Sequence, residues 1–231
     1  MKSPRSLSPS VVSVSMLATF AAVVVAGLFI AGSPAWSAGE MQLVIAVNSV
    51  HNIVFDAVAH SINLVFGPTF ALVVTASTVV VVTVLARSWV AAVRVLVLIA
   101  IPWAVTDLVK VIAGRARPDS SLLSYPTGVE PVTFSYPSGH TAFAAAWVLA
   151  LVVVLSGWRF RGVVVAGALV VMILTGWSRV YLGAHYPTDV LASLLLAPVL
   201  TFGVAFLMAR MPLFAPARDV PAVAQQPGSG R

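Results

Sequence analysis

Three short stretches of the sequence carry charged and polar side chains whose types and spacing are suited to binding an anion and attacking it. They are Lys110-Val-Ile-Ala-Gly-Arg-Ala-Arg117-Pro118, Tyr136-Pro137-Ser138-Gly139-His140, and Ser178-Arg179 followed by His185 and Asp189. In the first stretch, Lys110 and Arg117 need an anionic partner, and an arginine fork matches phosphate oxygens. Taken alone, this stretch is explained equally well by two long side chains reaching a membrane surface, or by local pairing of Lys110 with Asp107.

The second and third stretches predict a helix start and a histidine–carboxylate pair. Ser138 is placed to cap a helix whose free N–H groups, left open by Gly139, form an anion site. His140 would lie in the first turn of that helix. His185 and Asp189 are four residues apart, so the carboxylate can hold one ring N–H of the histidine. The other ring nitrogen would then be free to act as a nucleophile.

Membrane helices are the elements that must position these residues. The chain is 60% hydrophobic and 9% charged, whereas a soluble domain carries about 25% charged residues. A span needs about 20 apolar residues, and six stretches meet or approach that length: 11–32, 67–86, 90–113, 139–156, 161–177 and 187–209. The sequence therefore predicts an all-α, six-span bundle, with the three polar stretches converging at one membrane surface.

Two segments near the N-terminus need separate interpretation. Lys2, Arg5, an apolar run and Ser33-Pro34-Ala35 resemble a cleaved signal peptide, but the run is longer than usual, which favours a retained first span. Between the first two spans, polar residues recur at spacings of three and four: Asn48, Asn52, Asp56, His60 and Asn63. This pattern predicts an amphipathic helix over 40–66 that lies at the interface, with His51 and His60 meeting headgroups rather than a metal.

Basic residues predict the orientation of the bundle. Six spans put both termini on one side, and the basic residues there are Lys2, Arg5, Arg87, Arg94, Arg159, Arg161, Arg210, Arg218 and Arg231. The opposite side carries Lys110, Arg115, Arg117 and Arg179, together with Glu40, Asp119, Glu130 and Asp189. The positive-inside rule makes the first side cytoplasmic. We expect a cytoplasmic N-terminus over 1–10, one membrane domain over 11–209 and a disordered cytoplasmic tail over 210–231.

Composition also argues against several functions. The net charge of +6 comes from scattered basic residues rather than a basic stripe with interleaved aromatics, so nucleic-acid binding is not expected. The chain has no cysteine, which excludes disulfides and thiolate metal sites. No carboxylate cluster suited to Mg²⁺ is evident, so we expect no metal and no cofactor.

Together the three stretches resemble the signature of the type 2 phosphatidic acid phosphatase family, which includes the vanadium haloperoxidases. The family pattern is Lys, six residues, Arg-Pro; then Pro-Ser-Gly-His; then Ser-Arg, five residues, His, three residues, Asp. The sequence matches it without departure, within a resemblance that covers about residues 60–205.

The resemblance implies a role for each residue. Phosphate oxygens would be bound by Lys110, Arg117, Ser138, Gly139 and Arg179. His185 would attack phosphorus and form a phosphohistidine, oriented by Asp189, and His140 would be the general acid and later the base. The implied substrate is a phosphorylated lipid such as undecaprenyl diphosphate, phosphatidic acid or phosphatidylglycerophosphate. The implied setting is the outer face of a bacterial plasma membrane.

Three further expectations remain open from the sequence. Arg115, between Lys110 and Arg117, is either a ligand for a second phosphate or a solvated loop arginine. The same pocket could hold vanadate in a haloperoxidase, although six spans argue against those soluble relatives. A transporter or scaffold without catalysis is disfavoured because transporters keep polar groups near the bilayer midplane.

Overall fold

The structure is a computed structural model that describes residues 7–126 and 133–214, and within them the chain is helical. The α-helices are α1 (Pro9–Ala31), α2 (Pro34–Asn48), α3 (Ile53–Phe66), α4 (Pro68–Ala86), α5 (Trp89–Ala113), α6 (Gly139–Val154), α7 (Arg161–Tyr181) and α8 (Pro187–Met208). Short 3₁₀ turns cover Ser120–Leu122 and Pro212–Phe214. The all-α prediction is confirmed, and the six predicted spans coincide with α1, α4, α5, α6, α7 and α8.

In the part of the chain that the structure describes, five helices are long and apolar enough to cross a membrane: α1, α4, α5, α7 and α8. The sixth predicted span, α6, has 16 residues, which is about 24 Å of helix against a hydrocarbon core of about 30 Å. Most of α6 is buried, including Ala142, Phe143, Ala145 and Ala146. It lies at the centre of the bundle and packs against α5, α7 and α8, so protein rather than lipid surrounds most of it.

The outer surface of the bundle is apolar. Large hydrophobic side chains such as Val80, Leu85, Val111 and Val163 are more than half exposed. Water would not tolerate so many exposed apolar side chains, but lipid does, because the backbone polar groups are already satisfied within the helices. The chain is a multi-pass membrane protein.

The predicted amphipathic helix over 40–66 is wrong in one respect, because the segment forms two helices. α2 ends at Asn48 and α3 begins at Ile53, with the Asn52 side chain accepting hydrogen bonds from the first turn of α3. An N-cap of this kind starts a new helix and interrupts the old one.

Part of the predicted polar face also points inward, although Asn52 and His60 are exposed. Asn48 is fully buried and its amide donates to the Tyr125 and Tyr181 carbonyls, each at 3.1 Å. Apolar residues such as Leu43 and Val54 are exposed instead. In a membrane protein the lipid-facing side of a helix is apolar, and its polar side turns inward to find partners.

Local signals explain where the helices nearest the polar stretches begin and end. Ser138 caps α6 by accepting from Thr141 N, as predicted, and Pro187 opens α8. Gly114 ends α5 in the left-handed conformation, with φ of 62°, which glycine adopts without strain. These three positions bring the ends of α5, α6 and α8 to the same side of the bundle.

Helix α1 packs against α5 and α8 and approaches the loop before α6 at Gly27. A Cβ at Gly27 would lie 2.6 Å from the ring of Tyr136, so glycine is required for this contact. The Tyr136 hydroxyl donates to the Val23 carbonyl at 2.9 Å. Burial, followed by the negative charge of Asp189 and opposed by Arg115, raises the pKa of Tyr136 to about 12, which keeps it a neutral donor.

Some expectations for the termini and loops fall outside the described residues, namely 1–6, Glu130 and 215–231. Within the predicted tail, Pro212–Phe214 forms a 3₁₀ turn. Phe214 packs against the core cluster of α4, α5, α6 and α8 residues. This turn therefore belongs to the folded bundle, and the predicted disorder of residues 215–231 stays a prediction.

Candidate functional site

The three polar stretches converge on a cavity of about 630 Å³. Five of the residues predicted to act on phosphate line it: Lys110, Arg117, Gly139, His140 and His185. They come from the end of α5 and the loop after it, the start of α6 and the turn before α8. The cavity therefore combines two cationic side chains, a helix N-terminus and two imidazoles, which is a suitable environment for a phosphate group.

Apolar side chains form the rest of the cavity wall. Phe66, Trp103, Val111 and Phe134 line it together with the polar residues. Val111 is also 69% exposed on the outer surface of α5, so the apolar wall continues to the lipid-facing side of the bundle. A ligand with a charged head and a hydrocarbon tail matches this division.

Lys110 lies in the last turn of α5 and reaches the N-terminus of α6. A Cβ at Gly139 would lie 3.5 Å from Lys110 Nζ and 3.9 Å from Asp107 Oδ1. Glycine at this position keeps the first N–H groups of α6 open toward the cavity. Asp107 also lines the cavity, so the partner that the sequence suggests for Lys110 lies at the site itself.

Arg117 is held by backbone and hydroxyl oxygens that leave part of its guanidinium toward the cavity. Its Nε and Nη2 donate to the Thr133 carbonyl at 3.0 Å and to the Thr133 hydroxyl at 2.9 Å. Its Nη1 donates to the Ala184 carbonyl at 2.8 Å and lies 3.3 Å from His185 Nε2. Arg117 therefore connects the loop before α6 with the turn that carries His185.

The two nitrogens of His185 face different partners. Nδ1 lies 3.4 Å from Asp189 Oδ2, longer than an ordinary charge-assisted hydrogen bond. Asp189 Oδ2 also accepts from the Tyr186 N–H at 2.9 Å. Nε2 is the nitrogen beside Arg117, and His185 lines the cavity. The arrangement favours a proton on Nδ1 and a lone pair on Nε2.

The electrostatic environment keeps His185 neutral. Burial is the main cause, and the positive charges of Arg117, Lys110 and Arg179 add to it, so that the pKa of His185 lies well below its usual 6.5. A neutral imidazole is the nucleophilic form. A ligand dianion bound among these cations would offset the same positive charges.

Arg179 is buried at the end of α7, 1% exposed. Its Nη1 donates to the Asn63 side-chain carbonyl at 2.6 Å, and its own carbonyl accepts from the backbone N–H groups of Ala184 and His185. Arg179 thus fixes the turn that carries His185, although it is not one of the residues that line the cavity.

Ser138 is completely buried and is occupied in capping α6. Its hydroxyl oxygen accepts from the Thr141 hydroxyl at 3.0 Å. Its N–H donates to the Asp189 carbonyl at 3.1 Å, and its carbonyl accepts from the Ser193 hydroxyl at 2.8 Å. These bonds join the start of α6 to the first turns of α8, which bear Asp189.

Arg115 is not a solvated loop arginine, because it is 2% exposed. Its Nη1 donates to Asp189 Oδ1 at 2.7 Å and its Nη2 donates to Glu40 Oε2 at 2.8 Å. It does not belong to the cavity lining, and the role of ligand for a second phosphate stays a prediction.

The sequence did not predict that Glu40 and Asn63 bind arginines of the site region. Glu40 had been placed on the outer side of the membrane without a partner, and nothing local predicts its ion pair with a residue 75 positions away. Asn63 belonged to the polar face between the first two spans, and that spacing was the available signal. Among the described residues, no group of three or more His, Cys, Asp or Glu side chains could hold a metal ion.

The fold and the site define a class: a membrane helical bundle with cationic side chains and two histidines around a cavity at one end. Residues 91–211, just over half of the chain, match the PAP2 superfamily. The chain belongs to that superfamily, in agreement with the resemblance found in the sequence.

Curated bacterial relatives resemble part of the chain. Undecaprenyl-diphosphatase BcrC of Bacillus subtilis is 41% identical over 69 residues, 29% of this chain and 32% of that protein. Phosphatidylglycerophosphatase B of Escherichia coli K12 is 38% identical over 96 residues, 40% of this chain and 37% of that protein. Lipid A 1-phosphatase of Rhizobium etli is 37% identical over 93 residues, 38% of each chain. The chain spans about a third of the length of such relatives.

A solved structure shares the fold over nearly the whole chain. It is the crystal structure of the first transmembrane PAP2 type phosphatidylglycerolphosphate phosphatase from Bacillus subtilis. The TM-score is 0.68 at 24% sequence identity, with 86% of this chain and 94% of that chain covered. At this identity the likeness concerns the fold alone. Because it covers 86% of this chain, it extends beyond residues 91–211 into α1–α4.

Proposed function

We propose that the protein is an integral-membrane lipid phosphatase that hydrolyses a lipid phosphomonoester or diphosphate through a phosphohistidine at His185. The observation that carries the proposal is the cavity itself. One part of its wall has Lys110, Arg117, His140 and His185, and the other is aromatic and aliphatic and leads toward lipid. A phosphate head and a hydrocarbon tail fit these two parts.

In the first half of the reaction, His185 Nε2 attacks phosphorus and the bond from phosphorus to the leaving lipid oxygen breaks. His140 donates a proton to that oxygen, so the lipid leaves as an alcohol or, from a diphosphate, as a monophosphate. Charge on the equatorial oxygens is stabilised by the nearby cations Lys110 and Arg117 and by the α6 N-terminus, and Arg179 adds a positive charge from behind. Phosphoryl transfer depends mainly on such positioning and charge stabilisation.

In the second half, His140 takes a proton from water, the oxygen of that water attacks phosphorus, and the bond to Nε2 breaks. Inorganic phosphate leaves and both imidazoles return to their starting forms. Asp189, 3.4 Å from Nδ1, orients His185 and supports the positive charge of the phosphorylated ring. The chemistry assigned to these residues requires no metal ion.

We also propose six spans, with α6 crossing inside the bundle and the active site on the extracytoplasmic side of a bacterial plasma membrane. The alternating directions of the six helices and the nine basic residues predicted for the opposite side support this orientation. In this topology α2 and α3 lie at the outer interface, and a lipid reaches His185 while its tail stays in the bilayer.

The test is phosphate release by the purified protein in detergent with EDTA. Undecaprenyl diphosphate, phosphatidic acid and phosphatidylglycerophosphate are compared side by side with a His185→Ala variant as control. We expect release from at least one lipid, no effect of EDTA, inhibition by orthovanadate and no halide oxidation. Full activity in the His185→Ala variant would point to another nucleophile, and halide oxidation with vanadate would favour the haloperoxidase alternative.

A further inference from the structure

Arg115 occupies a buried position directly behind Asp189. Besides its bond to Asp189 Oδ1, Nη1 donates to the Thr188 hydroxyl at 2.9 Å, and the guanidinium lies 4.0 Å from the centre of the Tyr186 ring. These partners, Tyr186, Thr188 and Asp189, are the N-cap and two residues in the first turn of α8. Arg115 therefore binds the turn that positions the Asp189 carboxylate. It contacts Oδ1, whereas His185 lies nearer to Oδ2.

Glu40 holds the other end of the same guanidinium. Its Oε2 accepts from Arg115 at 2.8 Å and from the Thr188 hydroxyl at 2.7 Å, and its Oε1 accepts from the Thr188 N–H at 2.8 Å. Glu40 is 8% exposed and lies on α2, before the segment that matches the PAP2 superfamily. A helix outside that segment thus supplies a buried carboxylate to the site.

We propose that Arg115 and Glu40 are positioning residues for the reaction, acting through Asp189. Arg115 fixes Oδ1, so Oδ2 is directed to the Tyr186 N–H and to His185 Nδ1. Glu40 in turn fixes Arg115 and the first turn of α8. The inference rests on the proposed function, because it assumes that His185 is the nucleophile.

The charge of the cluster has a consequence for the same step. Two carboxylates around one guanidinium give the cluster of Arg115, Glu40 and Asp189 one net negative charge, on the Asp189 side of His185. That charge is favourable when the imidazole becomes positive during phosphoryl transfer, and it acts strongly because the site is buried. The arrangement aids the transition state more than the binding of phosphate, so its loss should lower kcat rather than raise KM.

The experiment compares Arg115→Lys and Glu40→Gln with wild type and with Arg159→Lys. Lysine keeps the charge of Arg115 but cannot bridge two carboxylates, and glutamine keeps oxygen and shape at Glu40 without the charge. Arg159 lies between α6 and α7, at the other end of the bundle, and is the control for an arginine-to-lysine change. The readouts are kcat, KM, the inhibition constant of inorganic phosphate, the rate of His185 phosphorylation after rapid quench, and the melting temperature.

We expect kcat and the phosphorylation rate to fall about 10- to 100-fold in Arg115→Lys and less in Glu40→Gln. KM and the phosphate inhibition constant should change less than about threefold, and phosphomonoesters and diphosphates should lose activity equally. Arg159→Lys should match wild type in every readout. Glutamine at Glu40 is the milder change. If Arg115→Lys does not fold, kcat and KM of Glu40→Gln decide the test.

Three outcomes would overturn the inference. If KM and the phosphate inhibition constant rise while kcat stays constant, Arg115 is a phosphate ligand. A selective loss of diphosphate hydrolysis would indicate a second-phosphate role. A lower melting temperature with unchanged kcat would make the pair merely structural. In all three cases an active wild type and an inactive His185→Ala variant leave the proposed function intact, whereas an inactive wild type removes both.

Discussion

His185 carries the proposed chemistry, and its surroundings make a pH prediction. Burial and the cations Arg117, Lys110 and Arg179 hold its pKa well below 6.5, so the proton leaves at a lower pH than from a free histidine. The ring should therefore remain neutral, and able to attack, when the pH falls through 6.5. We expect NMR spectra of ring-labelled histidine, assigned with a His185→Asn variant, to show neutral His185 at pH 6.5 in the phosphate-free protein. Half-protonation at or above pH 6.5 would contradict this account of the site.

Asn63 makes a second prediction at the residue scale. Its side-chain oxygen accepts from Arg179 at 2.6 Å, and a hydrogen bond to a charged group contributes about 1.5–3 kcal/mol. An Asn63→Ala variant should displace the positive charge of Arg179 and lower kcat/KM about tenfold or more. Ser61→Ala, an exposed position on the same helix, should leave kcat/KM unchanged. Equal kcat/KM values for the two variants would show that Asn63 does not support the site through Arg179.

At the scale of elements, the close contact between α1 and the loop before α6 is open to a matched test. A Cβ at Gly27 would lie 2.6 Å from the Tyr136 ring and 3.0 Å from Ala113 Cβ, whereas a Cβ at Gly39 has no heavy atom within 4 Å. Overpacking of this kind costs about 1–3 kcal/mol. Gly27→Ala should lower the melting temperature in detergent, and Gly39→Ala should leave it unchanged or slightly higher. Equal melting temperatures would show that α1 is not packed against this loop.

The same contact bears on the predicted retention of the first span. Tyr136 donates to the Val23 carbonyl, so removal of residues 1–35 would take away a partner of the site loop. Intact-mass spectrometry of the protein purified from membranes should find residues 1–35 present. A mature chain that starts after Ala35 would favour the signal-peptide interpretation.

The elements and their ends were largely accessible from the sequence, and their long-range partners were not. The lengths of the apolar runs predicted all six long segments. Helix ends follow from residue types with local backbone preferences, here Ser138, Gly114 and Pro187. The break at Asn52 was missed because the polar spacing runs through it. The burial of Arg115 was missed because its partner Glu40 lies on α2, and no local pattern encodes a contact between residues so far apart in the chain.

Inside the site, the sequence identified the residues that line the cavity but could not assign their contacts. Lys110, Arg117, Gly139, His140 and His185 were all predicted from type and spacing, and they share one cavity. Ser138 was predicted both as a cap and as a phosphate ligand, and in the structure its hydroxyl caps α6. Which of two chemically possible partners a side chain takes depends on packing between helices.

At the scale of the whole molecule, the proposed orientation can be tested directly because the chain has no cysteine. Ser121 lies at the site end and Ser156 at the opposite end of the bundle, and both are exposed. A membrane-impermeant maleimide should label Ser121→Cys in intact bacterial cells and Ser156→Cys only after permeabilisation. The reverse pattern would put the site in the cytoplasm and overturn the outer-face proposal.

The covalent intermediate tests the central claim most directly. The protein is mixed with lipid carrying ³²P in its terminal phosphate and quenched in alkali within milliseconds, and the labelled peptide is identified by mass spectrometry. We predict label on His185 in wild type. A His185→Ala variant should carry no label and release no phosphate. A His140→Ala variant should carry more label than wild type where hydrolysis of the intermediate slows more than its formation. Phosphate release by His185→Ala at the wild-type rate, without label on any histidine, would contradict the account.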